Sequence, residues 1–208
     1  MGDVLSIKIG IVGFQGDVSE HVSAVRRLSS QERIVEPVLL KRPEDVDHID
    51  GIIIPGGEST TIFKLINRYG LYNKIVKAAE AGMPVMGTCA GLIIMSKNTN
   101  DERVKGMGLL DVTIRRNAYG RQIDSFIESI EIEGIGRFNA VFIRAPIIED
   151  TGVTKVLATR NKEPVMVRQE DRFGLTFHPE LTEDISIHRM FIRTIEGERY
   201  VSTGGRNK

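Results

Sequence analysis

An α/β fold, with a mostly parallel central sheet flanked by helices and an additional antiparallel β section in the second half, is what this sequence of 208 residues predicts. Three observations carry the expectation. As far as residue 96, short apolar runs alternate with segments of helical period. The connections between them are short, as in strand–helix–strand crossovers. After residue 107 the apolar runs follow one another closely with turns between, which suits antiparallel pairing.

In order along the chain, residues 7–14 read as a buried strand ended by Gln15-Gly16. Asp17 and Glu20 have the spacing of a capping box, ahead of a helix carrying Val18, Val22, Val25 and Leu28. Residues 34–40 form a second strand, in which Pro37 favours a sheet edge or a break. Residues 51–54 form a third and lead into Pro55-Gly56-Gly57-Glu58. A helix follows with Ile62, Leu65, Ile66 and Tyr69 on one face and Ser59 or Thr60 as N-cap. Another covers residues 73–81, with Gly82 as its stop. Residues 83–86 are a short buried strand, and residues 90–96 the next helix. In the second half Phe126, Glu128, Ile130 and Ile132 alternate with Ile127, Ser129, Glu131 and Glu133. Further strands are expected at 141–143, 153–159, 165–167 and 174–177. The last helix starts near Glu183 with His188, Phe191, Ile192 and Ile195 on one stripe, and residues 199–208 read as a frayed tail.

Composition narrows the function classes. The 28 Lys and Arg balance 28 Asp and Glu, so there is no basic excess to attract nucleic acid or an anionic membrane. No apolar run approaches the ~20 residues of a spanning helix, and the N-terminus lacks the pattern of a signal peptide. Cys89 is the single cysteine, which excludes an internal disulfide and suits the cytoplasm. The length and the absence of an interdomain linker favour one domain over residues 1–208.

Gly87-Thr88-Cys89-Ala90-Gly91 lies between a strand and a helix and has the G-x-nucleophile-x-G form of a nucleophile elbow. Its glycines give steric room for a tight turn, and the helix N-terminus favours a thiolate. A thiol needs a base. Of the four histidines, His178 stands out in Phe177-His178-Pro179-Glu180, directly after a strand. If Pro179 holds this segment extended, Glu180 at i+2 points to the same side and orients the imidazole. His188 reads as a packing residue, His48 lies in a polar loop, and His21 sits in the first helix beside Glu20. Gly56-Gly57 lets backbone N–H groups turn toward a developing oxyanion. Arg115, Arg116 and Arg144 flank strands and could fork a substrate carboxylate. No cofactor fingerprint or metal-ligand cluster is visible in the sequence.

From residue 7 to residue 195 these motifs resemble the triad-type glutamine amidotransferase family, in particular the glutaminase subunits of pyridoxal 5'-phosphate synthases. The resemblance rests on Gln15-Gly16, Pro55-Gly56-Gly57-Glu58-Ser59-Thr60-Thr61, the Cys89 elbow, and Arg116-Asn117 with the 120–126 stretch. Phe142-Ile143-Arg144-Ala145-Pro146 and Phe177-His178-Pro179-Glu180-Leu181-Thr182 complete the set. It implies a class I amidotransferase fold and a Cys89, His178, Glu180 triad. It further implies L-glutamine binding by Gly57, Glu58, Ser59, Arg116, Ile143 and Arg144, with Gly57 and Ala90 holding the oxyanion. A barrel-shaped pyridoxal 5'-phosphate synthase subunit would be the partner and receive the ammonia. Such a barrel needs ~250 residues, more than this chain contains. Gln15 and Gly16 are where that partner is expected to activate the site, with Gln15 reaching the glycine loop on docking. A stand-alone cysteine hydrolase, or an amidotransferase of another pathway, are the alternatives.

Overall fold

Strand β1 (Leu5–Val12) directs Ile7, Ile9 and Ile11 to one face of a sheet and Val12 to the other. In this computed structural model, which describes residues 5–116 and 125–197, the same alternation builds two apolar layers around one sheet. The chain continues through α1 (Val18–Arg26), β2 (Arg33–Leu40), a 3-10 turn and β3 (Gly51–Ile54), then α2 (Ser59–Arg68) and α3 (Leu71–Glu80). Next come β4 (Val85–Thr88), α4 (Ala90–Met95), β5 (Ser96–Thr99) and β6 (Leu110–Arg115), followed by β7 (Ser125–Ile132), β8 (Gly136–Ile143) and β9 (Ile147–Asp150). Strands β10 (Lys155–Arg160), β11 (Glu163–Gln169) and β12 (Arg172–Leu175) lead to α5 (Ser186–Ile195).

The large sheet has the order β2-β1-β3-β4-β12-β11-β10-β7-β8. From β2 to β12 every pairing is parallel, and from β12 to β8 every pairing is antiparallel. The expected antiparallel section is therefore a continuation of the parallel one. Helices α1 and α5 cover one face through Val25, Ile187 and Phe191, together with Phe138 and Phe142 of β8. Helices α2, α3 and α4 cover the other through Ile62, Ile66, Ile75 and Leu92. Each such side chain contributes roughly 1.5–3 kcal/mol by leaving water. β2 lies at the edge, where Pro37 is tolerated as its sequence anticipates.

Several local expectations are corrected. Asp17 is the N-cap of α1, but its side chain makes no cap bond and turns to His178 instead. The N-cap of α2 is Glu58, whose carboxylate accepts from Thr60 N, and not Ser59 or Thr60. Tyr69 is 48% exposed and stacks on Phe14 outside the buried face of α2. A second sheet, β5-β6-β9, was not anticipated. Residues 117–124 of the Arg116–Phe126 motif, and the 199–208 tail, lie outside the described residues.

The β4–α4 junction depends on a close backbone approach. A Cβ on Gly91 would lie 2.0 Å from the Ile54 carbonyl oxygen, and one on Gly87 would lie 2.6 Å from the Gly91 carbonyl carbon. Backbone atoms cannot yield as a flexible side chain does. Gly91→Ala should therefore destabilise the protein by ~1–3 kcal/mol, seen as a lower urea midpoint. An unchanged midpoint would show that β3 and α4 separate without cost.

Candidate active site

The parallel strands all end on one side, and their carboxyl ends deliver the functional residues there, as open α/β sheets do. Gln15, Gly16 and Asp17 follow β1, Gly56 to Glu58 follow β3, Cys89 follows β4, and His178 lies three residues past β12. Arg116 follows β6 and Arg144 follows β8. A cavity of about 150 Å³ brings Cys89 and His178 together with Gly57, Glu58, Ser59, Arg116, Ile143 and Arg144. Asp17, Ile93 and Pro146 complete its wall. Gln15, Gly16, Ala90 and Glu180 are not part of that wall.

Cys89 is held at φ 47° and ψ −97°, a conformation that L-residues rarely adopt. Its N–H donates to the Leu175 carbonyl at 2.8 Å, which pins the elbow to β12. Only 7% of the residue is exposed, and its sulfur lies 3.9 Å from the Ile143 carbonyl oxygen.

His178 Nδ1 bonds Glu180 Oε1 at 2.8 Å, and both side chains are nearly or fully buried. The pairing does not come from an extended segment. Pro179–Leu181 form a 3-10 turn, and Glu180 bonds back to the residue that precedes this turn. Pro179 at the first position suits the turn because its missing N–H costs nothing there. Asp17 Oδ2 also lies 3.1 Å from His178 Nδ1, a contact that α1 capping rules do not foretell. His178 Nε2 is buried without a hydrogen-bond partner among the described residues. Burial disfavours the charged imidazole, but Asp17, Cys89 and Glu180 outweigh it and push the His178 pKa up to about 12. The site thus stabilises the imidazolium that forms when a thiol gives up its proton. Burial raises the Glu180 pKa, and the neighbouring His178 opposes this. The donor atoms of Asp17, His178 and Glu180 lie within 4.8 Å of one another, but His178 Nδ1 already holds both carboxylates.

Sequence reasoning missed His21. It is fully buried on α1, with Nε2 3.1 Å from Thr88 Oγ1 and 3.5 Å from Glu180 Oε2. Its Nδ1 lies 3.2 Å from His188 Nε2. Burial, followed by the neighbouring histidines, drives the His21 pKa well down, and burial brings that of His188 down to about 4. The i, i+4 spacing from Asp17 placed His21 on the helix face of that residue, but nothing local reveals what that face meets.

The cation-rich wall is internally balanced. Arg116 pairs with Asp101 and reaches Glu58 Oε1 at 3.2 Å. Its side chain is 9% exposed. The Glu58 carboxyl is held below its usual range by Thr60 foremost and then by Arg116 and Arg144. Arg144 has φ 44°, a second strained residue at the cavity. Ser59 Oγ is buried and unpartnered among the described residues. The glycine loop is packed from behind: a Cβ on Gly16 would lie 1.7 Å from Gly56 O, and one on Gly56 would lie 2.4 Å from His178 Cε1. Asp17 N donates to Gly56 O at 3.2 Å. Because that peptide is trans, the Gly57 N–H points the opposite way. Glu58 N donates to Gln15 Oε1 at 2.9 Å, so Gln15 already touches the loop in the chain alone.

Comparisons with known proteins identify the family of the chain. The model of the SNO glutamine amidotransferase family matches residues 11–197. The chain is 59% identical over 198 residues to pyridoxal 5'-phosphate synthase subunit PdxT of Thermoplasma acidophilum, covering 95% of this chain and 98% of the relative. It is 45% identical over 193 residues to the protein of the same name from Thermotoga neapolitana, covering 91% and 100%. A crystal structure of a glutamine amidotransferase superposes with a TM-score of 0.84 at 40% identity, covering 90% of this chain and 98% of that one. The α/β fold, the cysteine elbow and these likenesses together establish that the chain belongs to the SNO glutamine amidotransferase family.

Proposed function

We propose that this chain is a glutaminase that hydrolyses L-glutamine to L-glutamate and ammonia, and that the ammonia passes to a barrel-shaped synthase subunit making pyridoxal 5'-phosphate. Residues 1–208 act as one amidotransferase domain. The observation that carries the reading is the strained Cys89 sharing a cavity with His178, whose Nδ1 is bonded to Glu180 at 2.8 Å. A catalytic thiol that has to stay reduced fits the cytoplasm. No described helix is long and apolar enough to cross a membrane.

The geometry supports the following steps. Glutamine places its α-carboxylate against Arg116 and Arg144, and its polar groups against Ser59 and Glu58. Cys89 thiolate attacks the carboxamide carbon, and the Gly57 and Ala90 N–H groups receive the oxyanion. His178 imidazolium protonates the nitrogen as the C–N bond breaks, releasing ammonia and leaving a γ-glutamyl thioester on Cys89. Neutral His178 then takes a proton from water, which attacks the thioester; glutamate leaves and the thiolate is restored. Glu180 keeps the Nδ1–H tautomer in place throughout.

Cys89→Ala should abolish glutamine hydrolysis with the fold intact, since losses in such a unit reach ~10⁶-fold in turnover. His178→Asn should be nearly as severe and Glu180→Gln milder, which rate measurements on the two variants check. The reverse order would exchange their roles.

Arg116→Ala should raise KM for glutamine tenfold or more, because a charge-assisted contact is worth about 1.5–3 kcal/mol. Steady-state kinetics with KM unchanged would remove Arg116 from substrate binding.

The β1–α1 turn is packed directly on the glycine loop, with Gly16 against Gly56 and Gln15 on Glu58. A partner pressing on that turn would therefore set the Gly57 N–H. We expect the synthase subunit to raise glutaminase turnover by ~10²–10³-fold, the value of one oxyanion donor. Gln15→Ala should blunt the rise. Full activity of the chain alone would reject the switch, and undiminished activation of Gln15→Ala would reject its location.

A further inference from the structure

The triad leaves one buried oxygen unexplained. Glu180 Oε1 serves His178, whereas Oε2 is buried and has no hydrogen bond within normal length among the described residues. His21 Nε2 lies 3.5 Å from it. His21 is itself fixed on each side, by Thr88 Oγ1 at 3.1 Å and His188 Nε2 at 3.2 Å. Thr88 is the residue before the nucleophile, so His21 spans the elbow and the carboxylate.

The charge of Glu180 selects the tautomer. If His21 carried its proton on Nδ1, a bare Nε2 lone pair would face a buried carboxylate oxygen. With the proton on Nε2, the N–H faces both Glu180 Oε2 and Thr88 Oγ1, and Nδ1 accepts from His188 Nε2–H. His188 Nδ1 is then the acceptor left over, and it is the ring atom buried without a partner. The low pKa values of both rings keep them neutral, as this arrangement requires. The other charged or titratable groups around the pair are His178, Asp17 and Arg27. Arg27 also binds Thr182 O, Glu183 O and Glu183 Oε2, which clamps α1 to the segment just after Glu180.

We propose that His21, held by His188 and Thr88, is a positioning residue whose Nε2–H fixes the second oxygen of Glu180 and so holds His178 in register with Cys89. The proposal rests on the triad reading above. In the resting chain the contact is long, and it orients the carboxylate by its dipole.

The test compares wild type with His21→Phe, which fills the space without a donor, and His21→Gln, whose amide reaches the Nε2 position. Two quantities are read: kcat and KM for glutamine with the synthase subunit present, and the pH dependence of Cys89 alkylation by iodoacetamide in the chain alone. Circular dichroism verifies folding. His21→Phe should lower kcat by roughly 10–100-fold, as a small misplacement of a catalytic group does. Its KM should stay put, and thiolate reactivity should appear only at higher pH. His21→Gln should recover most of both. A folded His21→Phe with wild-type kcat and alkylation profile overturns the proposal, as does a His21→Gln no better than Phe. Should His21→Phe fail to fold, His21→Asn, too short to reach Glu180, takes its place with the same criteria. Cys89→Ala run alongside separates the two failures. Activity retained there sinks the triad itself, while an inactive Cys89→Ala beside an unaffected His21→Phe sinks only the positioning role.

Discussion

Cys89 keeps a backbone conformation of φ 47° and ψ −97° because its surroundings leave it no other. On one side its N–H is taken by Leu175 of β12, and on the other Gly91 is pressed against the Ile54 carbonyl of β3. Both contacts require β4 to lie between β3 and β12 in a parallel arrangement. Such strain costs of order 1–3 kcal/mol and persists only where packing over-determines it. The fully buried Ile52, Ile53, Ile54, Val85 and Met86 supply that packing. The sheet order is therefore a condition for the conformation of Cys89, and the other groups of the cavity gather around it.

Charge is arranged in two zones. Around His178, Asp17 and Glu180 concentrate carboxylates on one imidazole, so the protonated ring is the stable form. Behind Glu180, His21 and His188 are neutral because burial forbids their charge. A proton is thereby favoured beside the thiol and disfavoured deeper in. This gradient matches a chemistry in which the imidazole alternately donates to a leaving amine and accepts from water.

What the sequence makes legible is what neighbouring residues decide together. The elbow is visible because Gly87 and Gly91 flank Cys89 in the chain, and the His178–Glu180 pair because two residues separate nothing. Even there the physical route differs, since a 3-10 turn and not an extended segment joins them. The edge position of β2 is legible through Pro37. Asp17 and His21 are not legible as site residues. Asp17 looks like a cap, and its turn toward His178 depends on β1 and β12 being brought to one edge by the intervening β3 and β4. His21 depends on α1 packing over β4 and α5, contacts between residues 67 and 167 positions apart. The β5-β6-β9 sheet escaped for another reason: Ser96–Thr99 is polar, with no apolar alternation to mark a strand.

The proposed mechanism makes Cys89 the covalent nucleophile toward a glutamine side chain. Peptide mass spectrometry after incubation with 6-diazo-5-oxo-L-norleucine, an electrophilic analogue of glutamine, tests it most directly, with the synthase subunit present. One adduct per chain is expected, on Cys89, suppressed by excess glutamine. An adduct on any other residue, or none in a preparation that hydrolyses glutamine, would contradict it.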